Sequence, residues 1–170
     1  MMGRVLLVSM VSLSLMLTGC ASLAGGAPTP TTALGKPCPF ANTVPDPNAT
    51  PTMLQAVRPY NLILNLPAFS RCIADTARVQ RLYTAALALP PKAPGVYACP
   101  KSWSITYELT FLADGMLVRT MTQEADGCGF LHLSETDVRD TNEAFQQHVA
   151  DTIGLPSLLP FGSPSGSGTT

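Results

Sequence analysis

The sequence predicts a small α+β domain: an antiparallel sheet of about four to five strands, two helices packed on one face of it, and two disulfides. Three observations carry that prediction. Between Ile105 and Phe111 apolar and polar residues alternate, and Asp114-Gly115 follows as a hairpin turn. Residues 76–89 and 135–152 each carry apolar side chains at helical spacing. Cys38, Cys72, Cys99 and Cys128 form an even set within residues 37–153, a stretch long enough for one core and too short for two.

Taken in order, the 37–59 stretch carries Pro37, Pro39, Pro45, Pro47, Pro51 and Pro59. Each proline removes a backbone donor, so a loop draped over the core is expected there, with no long helix and no central strand. Asn48-Ala49-Thr50 has the form of a glycosylation sequon, a triplet common enough by chance to carry nothing here. Residues 60–66, with Leu62-Ile63-Leu64 at the centre, read as a short buried strand ended by Pro67, and 71–73 as a second. Asp75 is placed to cap a helix over 76–89 that Pro90-Pro91 stops. Val79, Leu82, Tyr83, Ala86 and Leu89 share its buried stripe, while Arg78, Arg81 and Thr84 fall away from it.

The hairpin comes next, with Ile105, Tyr107, Leu109 and Phe111 on the buried face of its first strand and 116–124 as its second. A third short strand is expected over 130–133. Ser134 then stands as a cap, with Asp137 at the capping-box position, for a final helix over 135–152. That helix would place Val138, Phe145, Val149 and Ile153 on one side, and Gly154 with Pro156 would end it.

With Cys20 set aside, the four remaining cysteines allow three pairings. A two-residue turn at Asp114-Gly115 leaves Cys128 two positions short of the residue opposite Cys99, and a bulge around Asp126-Gly127 would close that gap. Cys99 therefore pairs with Cys128, and Cys38 is left for Cys72, stapling the proline-rich segment to the sheet. Each bridge closes a loop of roughly 30 residues and contributes about 3 to 4 kcal/mol in the chain-entropy model. The sequence has no Cys-x-x-Cys pattern to suggest a metal site instead.

Lysine and arginine number 10 against 11 aspartate and glutamate, and charged residues make up 12% where a soluble domain averages about 25%. That balance excludes the basic patch that nucleic acid demands. It also offers anionic lipid no electrostatic attraction.

The chain opens with Arg4, an apolar run from Val5 to Leu17, and then Leu17-Thr18-Gly19-Cys20. The run has the length of a secretory h-region and falls short of the ~20 residues of a transmembrane helix. This segment resembles the lipobox signal peptide of bacterial lipoproteins, in which a small residue precedes an obligatory cysteine, the places of Gly19 and Cys20. The resemblance implies a signal peptide over 1–19, lipidation of Cys20 with palmitate-type chains, and an extracytoplasmic, membrane-anchored address, periplasmic or at the cell surface. Acyl chains at ~0.8 kcal/mol per buried methylene make the membrane the expected first partner. Residues 20–36 are rich in Ala, Gly, Pro and Thr and read as a flexible tether reaching up to about 50 Å. At the other end, 154–170 is expected to be a disordered tail, its last part, 162–170, being Gly, Ser, Thr and Pro only.

No catalytic motif follows the lipobox. His132 on the third strand and His148 on the last helix are the two histidines, one short of the three protein ligands of a catalytic zinc site. Ser104 and Ser134 lack the flanking glycines of a nucleophile elbow. Asp137, Arg139, Asp140 and Glu143 read as a mixed solvated face, and a glycosidase carboxylate pair would have to be assembled from distant positions. Trp103, near Cys99, is expected to pack on the disulfide. No cofactor and no metal is expected.

Val79, Leu82-Tyr83, Leu89-Pro90, Tyr97, Cys99-Pro100, Tyr107, Leu109, Phe111, Asp114-Gly115, Gly127-Cys128 and Phe145 resemble the pattern of uncharacterised secreted lipoproteins built as small disulfide-linked α+β domains. That resemblance covers about residues 60–153 and implies fold and address. A fainter similarity is to the Streptomyces-type subtilisin inhibitors, but the sequence shows no reactive loop with a specificity residue beside a disulfide. The expected function is therefore a membrane-anchored lipoprotein with a non-catalytic binding or accessory domain in the cell envelope. A protease-inhibitor-like domain is the alternative. A small envelope hydrolase with a pocket near His132 or His148 is the third reading.

Overall fold

The computed structural model describes residues 35–40 and 44–161. The signal segment, Cys20, the tether up to residue 34 and positions 162–170 of the tail lie outside the described residues. Along the chain run β1 (Met53–Arg58), β2 (Phe69–Ile73), α1 (Thr76–Ala88), β3 (Thr106–Ala113), β4 (Met116–Glu124), β5 (Leu131–His132), β6 (Val138–Arg139) and α2 (Glu143–Ile153). The strands form one antiparallel sheet of six, in the order β2-β1-β3-β4-β5-β6. The architecture is the expected small α+β domain, with six strands where about four to five were expected.

Period-two burial decides which face carries the core. Leu54 and Ala56 of β1, Tyr107, Leu109 and Phe111 of β3, Met121 of β4 and Leu131 of β5 are buried in one cluster with Val79 and Leu82 of α1 and Phe145, Val149 and Ile153 of α2. Both helices therefore cover the same face. Each large side chain in this cluster contributes about 1.5 to 3 kcal/mol over its exposed state. The residues between them, among them Gln55, Glu108, Thr110, Thr120 and Thr122, stay at least partly exposed on the opposite face.

Helix α1 begins where expected, because the Asp75 carboxylate accepts from the Arg78 backbone N–H at 3.0 Å. It buries Val79, Leu82, Tyr83 and Ala86 and stops before Pro90. Helix α2 ends at Gly154, which adopts the left-handed conformation at φ 71°. Arg71 of β2 reaches over to this end and donates to the Ile153 carbonyl at 2.7 Å and the Gly154 carbonyl at 3.0 Å.

Four expectations are corrected. First, the proline-rich stretch expected to be all loop contains β1, paired on both sides by β2 and β3. Pro51 and Pro59 only bracket it, and the proline-free window between them puts Leu54 and Ala56 inward by simple alternation. Second, the buried strand expected over 60–66 is an exposed turn. Asn61 Oδ1 accepts from the Leu64 N–H at 2.9 Å and Asn65 sits at φ 51°, so the two asparagines bend the run they flank.

Third, the last helix starts at Glu143, with Asn142 as its cap. Ser134 Oγ does accept from Asp137 N at 3.0 Å, but the turn closes through Leu133 N to Asp137 O at 2.8 Å. A hairpin results, and Val138–Arg139 become β6 instead of helix. Fourth, the packed chain continues beyond Ile153. Leu158 is buried, its carbonyl accepts from the Tyr107 hydroxyl at 3.0 Å, and Leu155 and Leu159 pack on the core, so 155–159 belong with the packed domain. Burial pushes the Tyr107 phenol pKa up, against the lowering effect of Arg58, which donates to the same oxygen.

Candidate functional site

The two histidines are kept apart by the sheet. His132 lies opposite Thr122 on the exposed face, where its Nε2 is 2.8 Å from Glu124 Oε1, whereas His148 rides on α2, which covers the other face. Among the described residues no group of three or more His, Cys, Asp or Glu is placed to hold a metal. The acidic residues expected on one solvated helix face are also dispersed. Asp137 and Arg139 form an ion pair at 2.7 Å in the β5–β6 hairpin, and that hydrogen bond holds the Asp137 carboxyl below its usual range and raises the Arg139 guanidinium pKa. Asp140 accepts weakly from Ala93 N, and Glu143 sits in the first turn of α2.

Cysteines 38 and 72 are joined with their Cα atoms 5.0 Å apart, and cysteines 99 and 128 with theirs 4.8 Å apart. The second bridge does not arise from strand register. The β3–β4 register does shift once, but between Phe111 and Leu112, where Val118 is the extra residue. Instead the chain bends away from β3 at Ser104, which has φ 58°, and Cys99 meets the turn after β4. That turn is closed by Gly129 N donating to Asp126 O at 3.0 Å.

These bends build a platform at the end of the sheet farthest from Asp114-Gly115. The Asp126 carboxylate accepts from Ser102 Oγ at 3.2 Å, from Ile105 N at 3.3 Å and from Trp103 N. It fixes the 102–105 segment and with it that segment's carbonyls. Onto two of these, Trp103 O at 2.7 Å and Ser104 O at 3.2 Å, the buried Asn61 amide donates. Trp103 packs partly against the core, and the Lys101 ammonium lies 4.7 Å from its ring centroid.

Asn61 in turn anchors the β1–β2 connection. Its backbone exchanges two hydrogen bonds with Leu66, at 3.0 and 3.1 Å, closing Leu62-Ile63-Leu64-Asn65 into a four-residue turn. The Tyr60 hydroxyl bonds Asn65 Oδ1 across the loop. Leu64 and Leu66 face in and pack on the core, whereas Leu62 is 84% and Ile63 60% exposed. Two adjacent large apolar side chains thus stand in water on a turn with six defined hydrogen bonds to its backbone and anchors.

Sequence reasoning placed Leu62 and Ile63 in the core, passed over Asn61 and read Asp126 only as part of a bulge. The available signal was the asparagine pair at 61 and 65, since Asn favours turns and tolerates positive φ. Among the described residues no helix is long and apolar enough to cross a membrane. No known protein family, curated protein or solved structure matches the chain.

Proposed function

We propose that this chain is a lipid-anchored envelope lipoprotein whose domain docks a partner protein through the Leu62-Ile63 tip and catalyses no reaction itself. The observation that carries this reading is the rigid mounting of two exposed apolar residues. Exposed apolar side chains scattered singly are ordinary, but a pair held in a fixed turn loses little entropy on docking. The lipobox-like segment ending in Cys20 supports the anchor, and the two disulfides suit an oxidising, extracytoplasmic compartment.

Two experiments test it. Radiolabelled palmitate is expected to enter the full chain and not its Cys20→Ala variant, and label in the variant overturns the anchor. For the docking tip, wild type and a Leu62→Ser/Ile63→Ser variant are compared in crosslinking to envelope proteins in intact cells. A specific crosslinked partner that disappears in the variant supports the tip, and an identical pattern from both removes it.

The protease-inhibitor reading draws on the same braced loop. A protease cleft receives its ligand as an extended strand, and residues 62–65 form a closed turn, which weighs toward docking. Titration against subtilisin-like and trypsin-like proteases decides between the two, since loss of protease activity at stoichiometric protein favours inhibition.

A further inference from the structure

We infer that the cleft between α1 and residues 47–51 binds a small molecule with one carboxylate and an apolar body, and that Arg119 of β4 recognises the carboxylate. The cleft measures about 400 Å³ and is lined by Tyr83, Thr84 and Leu87 of α1, by Asn48 and Pro51, and by Arg119. That volume lies within the range of small-molecule sites. It lies away from the Leu62-Ile63 tip, and the inference does not rest on the docking reading.

The bulge explains how an arginine reaches this place. Val118, the extra residue, fills the core, and Arg119 follows at the rim, half-buried and opposite Phe111. The Phe111 ring lies 5.0 Å from that of Tyr83, which puts Arg119 on the helix side of the sheet. Bulges commonly re-aim a side chain in this way next to functional sites.

Arg58, Arg71, Arg78 and Arg139 each have a hydrogen-bond or ion-pair partner. Arg119, among the described residues, has none, and the neighbouring Asp137 is already held by Arg139. A guanidinium that has given up part of its water keeps a planar fork of donors, the shape that a carboxylate matches with two parallel bonds. The Tyr83 hydroxyl also has no hydrogen-bond partner among the described residues, and with Thr84 it offers further polar contact. Leu87, Pro51 and the Tyr83 ring supply apolar walls. A single cation with a carboxylate close by favours a monoanion over a doubly charged phosphate.

The test is calorimetry on the full chain in detergent, with N-acetyl-phenylalanine, its amide and inorganic phosphate as probes. The acid should bind and the amide should bind about tenfold more weakly or worse, the difference of one charge-assisted fork. Arg119→Gln should bring the acid down to the level of the amide. Thr84→Trp, which fills the cleft from the exposed side of α1, should abolish binding with an unchanged thermal transition, a control that stands even if the arginine variant fails to fold. Absence of binding by the acid at millimolar concentration, equal affinity for acid and amide, phosphate binding as tight as the acid, or full binding by Thr84→Trp would each overturn the proposal.

Discussion

Two hairpin connections close opposite ends of the same sheet, and they are built on opposite rules. The β3–β4 turn at Asp114-Gly115 has both residues at positive φ, 50° and 81°, which matches the twist of the strands it joins. Its stability is local, contained in two residues that tolerate that backbone. The β1–β2 connection presents leucine and isoleucine where a turn would ordinarily be polar, and its shape depends on atoms far along the chain, the carbonyls of Trp103 and Ser104 and, behind them, Asp126 and the Cys99–Cys128 bridge. The difference teaches that an apolar tip stays exposed only when its inward collapse is blocked by anchors stronger than the burial it forgoes, and such a chain of anchors is what a preorganised contact surface requires.

Breaking the most remote anchor gives the largest expected effect. Replacing Cys99 and Cys128 by serine should cost about 2 to 5 kcal/mol, read as a fall in the thermal midpoint. Amide exchange in 61–66 should accelerate in that variant while the Asp114-Gly115 end keeps its protection. Equal acceleration at both ends would show that the platform does not act on the loop selectively. Asn61→Ala strikes the next link and, by removing a buried amide with two acceptors, should cost about 1 to 3 kcal/mol in urea denaturation; a cost near zero would mean that the loop holds itself.

Leu62→Ser with Ile63→Ser sharpens the comparison from the other side. Because both side chains face water, stability should stay within about 0.5 kcal/mol of wild type. A large destabilisation would place them in a buried contact outside the described residues. The smallest effect belongs to Asp137. Its folded pKa is lowered by the Arg139 hydrogen bond, so the stabilisation is complete above the ordinary carboxylate value of about 4 and is lost as pH falls through the lower folded value. Both side chains are partly exposed and the pair is screened by solvent, so Asp137→Asn should only flatten the acid limb of the stability profile slightly, measured by urea midpoints between neutral and acid pH.

Legibility in the sequence followed the same division. The β3–β4 hairpin, α1 with its Asp75 cap and the two-layer α+β arrangement were readable because each depends on residues within a few positions of one another. Ser134 was read as the cap of the last helix, but its bond to Asp137 N is followed by no helix: such a turn propagates into a helix or closes into a hairpin according to what it meets, and here it meets the 90–92 segment, with Lys92 N donating to Val138 O at 2.8 Å. Leu62-Ile63-Leu64 misled because hydrophobicity alone predicts burial, while the carbonyls that hold Asn61 lie 42 and 43 residues away. Arg119 was equally hidden, since only a bulge brings it to the helix side.

The bridge between Cys38 and Cys72 also has a mechanical meaning. A pull applied on the N-terminal side of Cys38 passes through the sulfur bond directly into β2, and the 34-residue separation it spans, which contains all of β1 and the Leu62-Ile63 tip, forms a covalently closed ring. With the anchor proposed at Cys20, tension between it and anything gripping that tip is borne within one ring. The helices and the β3–β4 hairpin stand outside the line of force, and the most that load can pay out is the slack of that single ring.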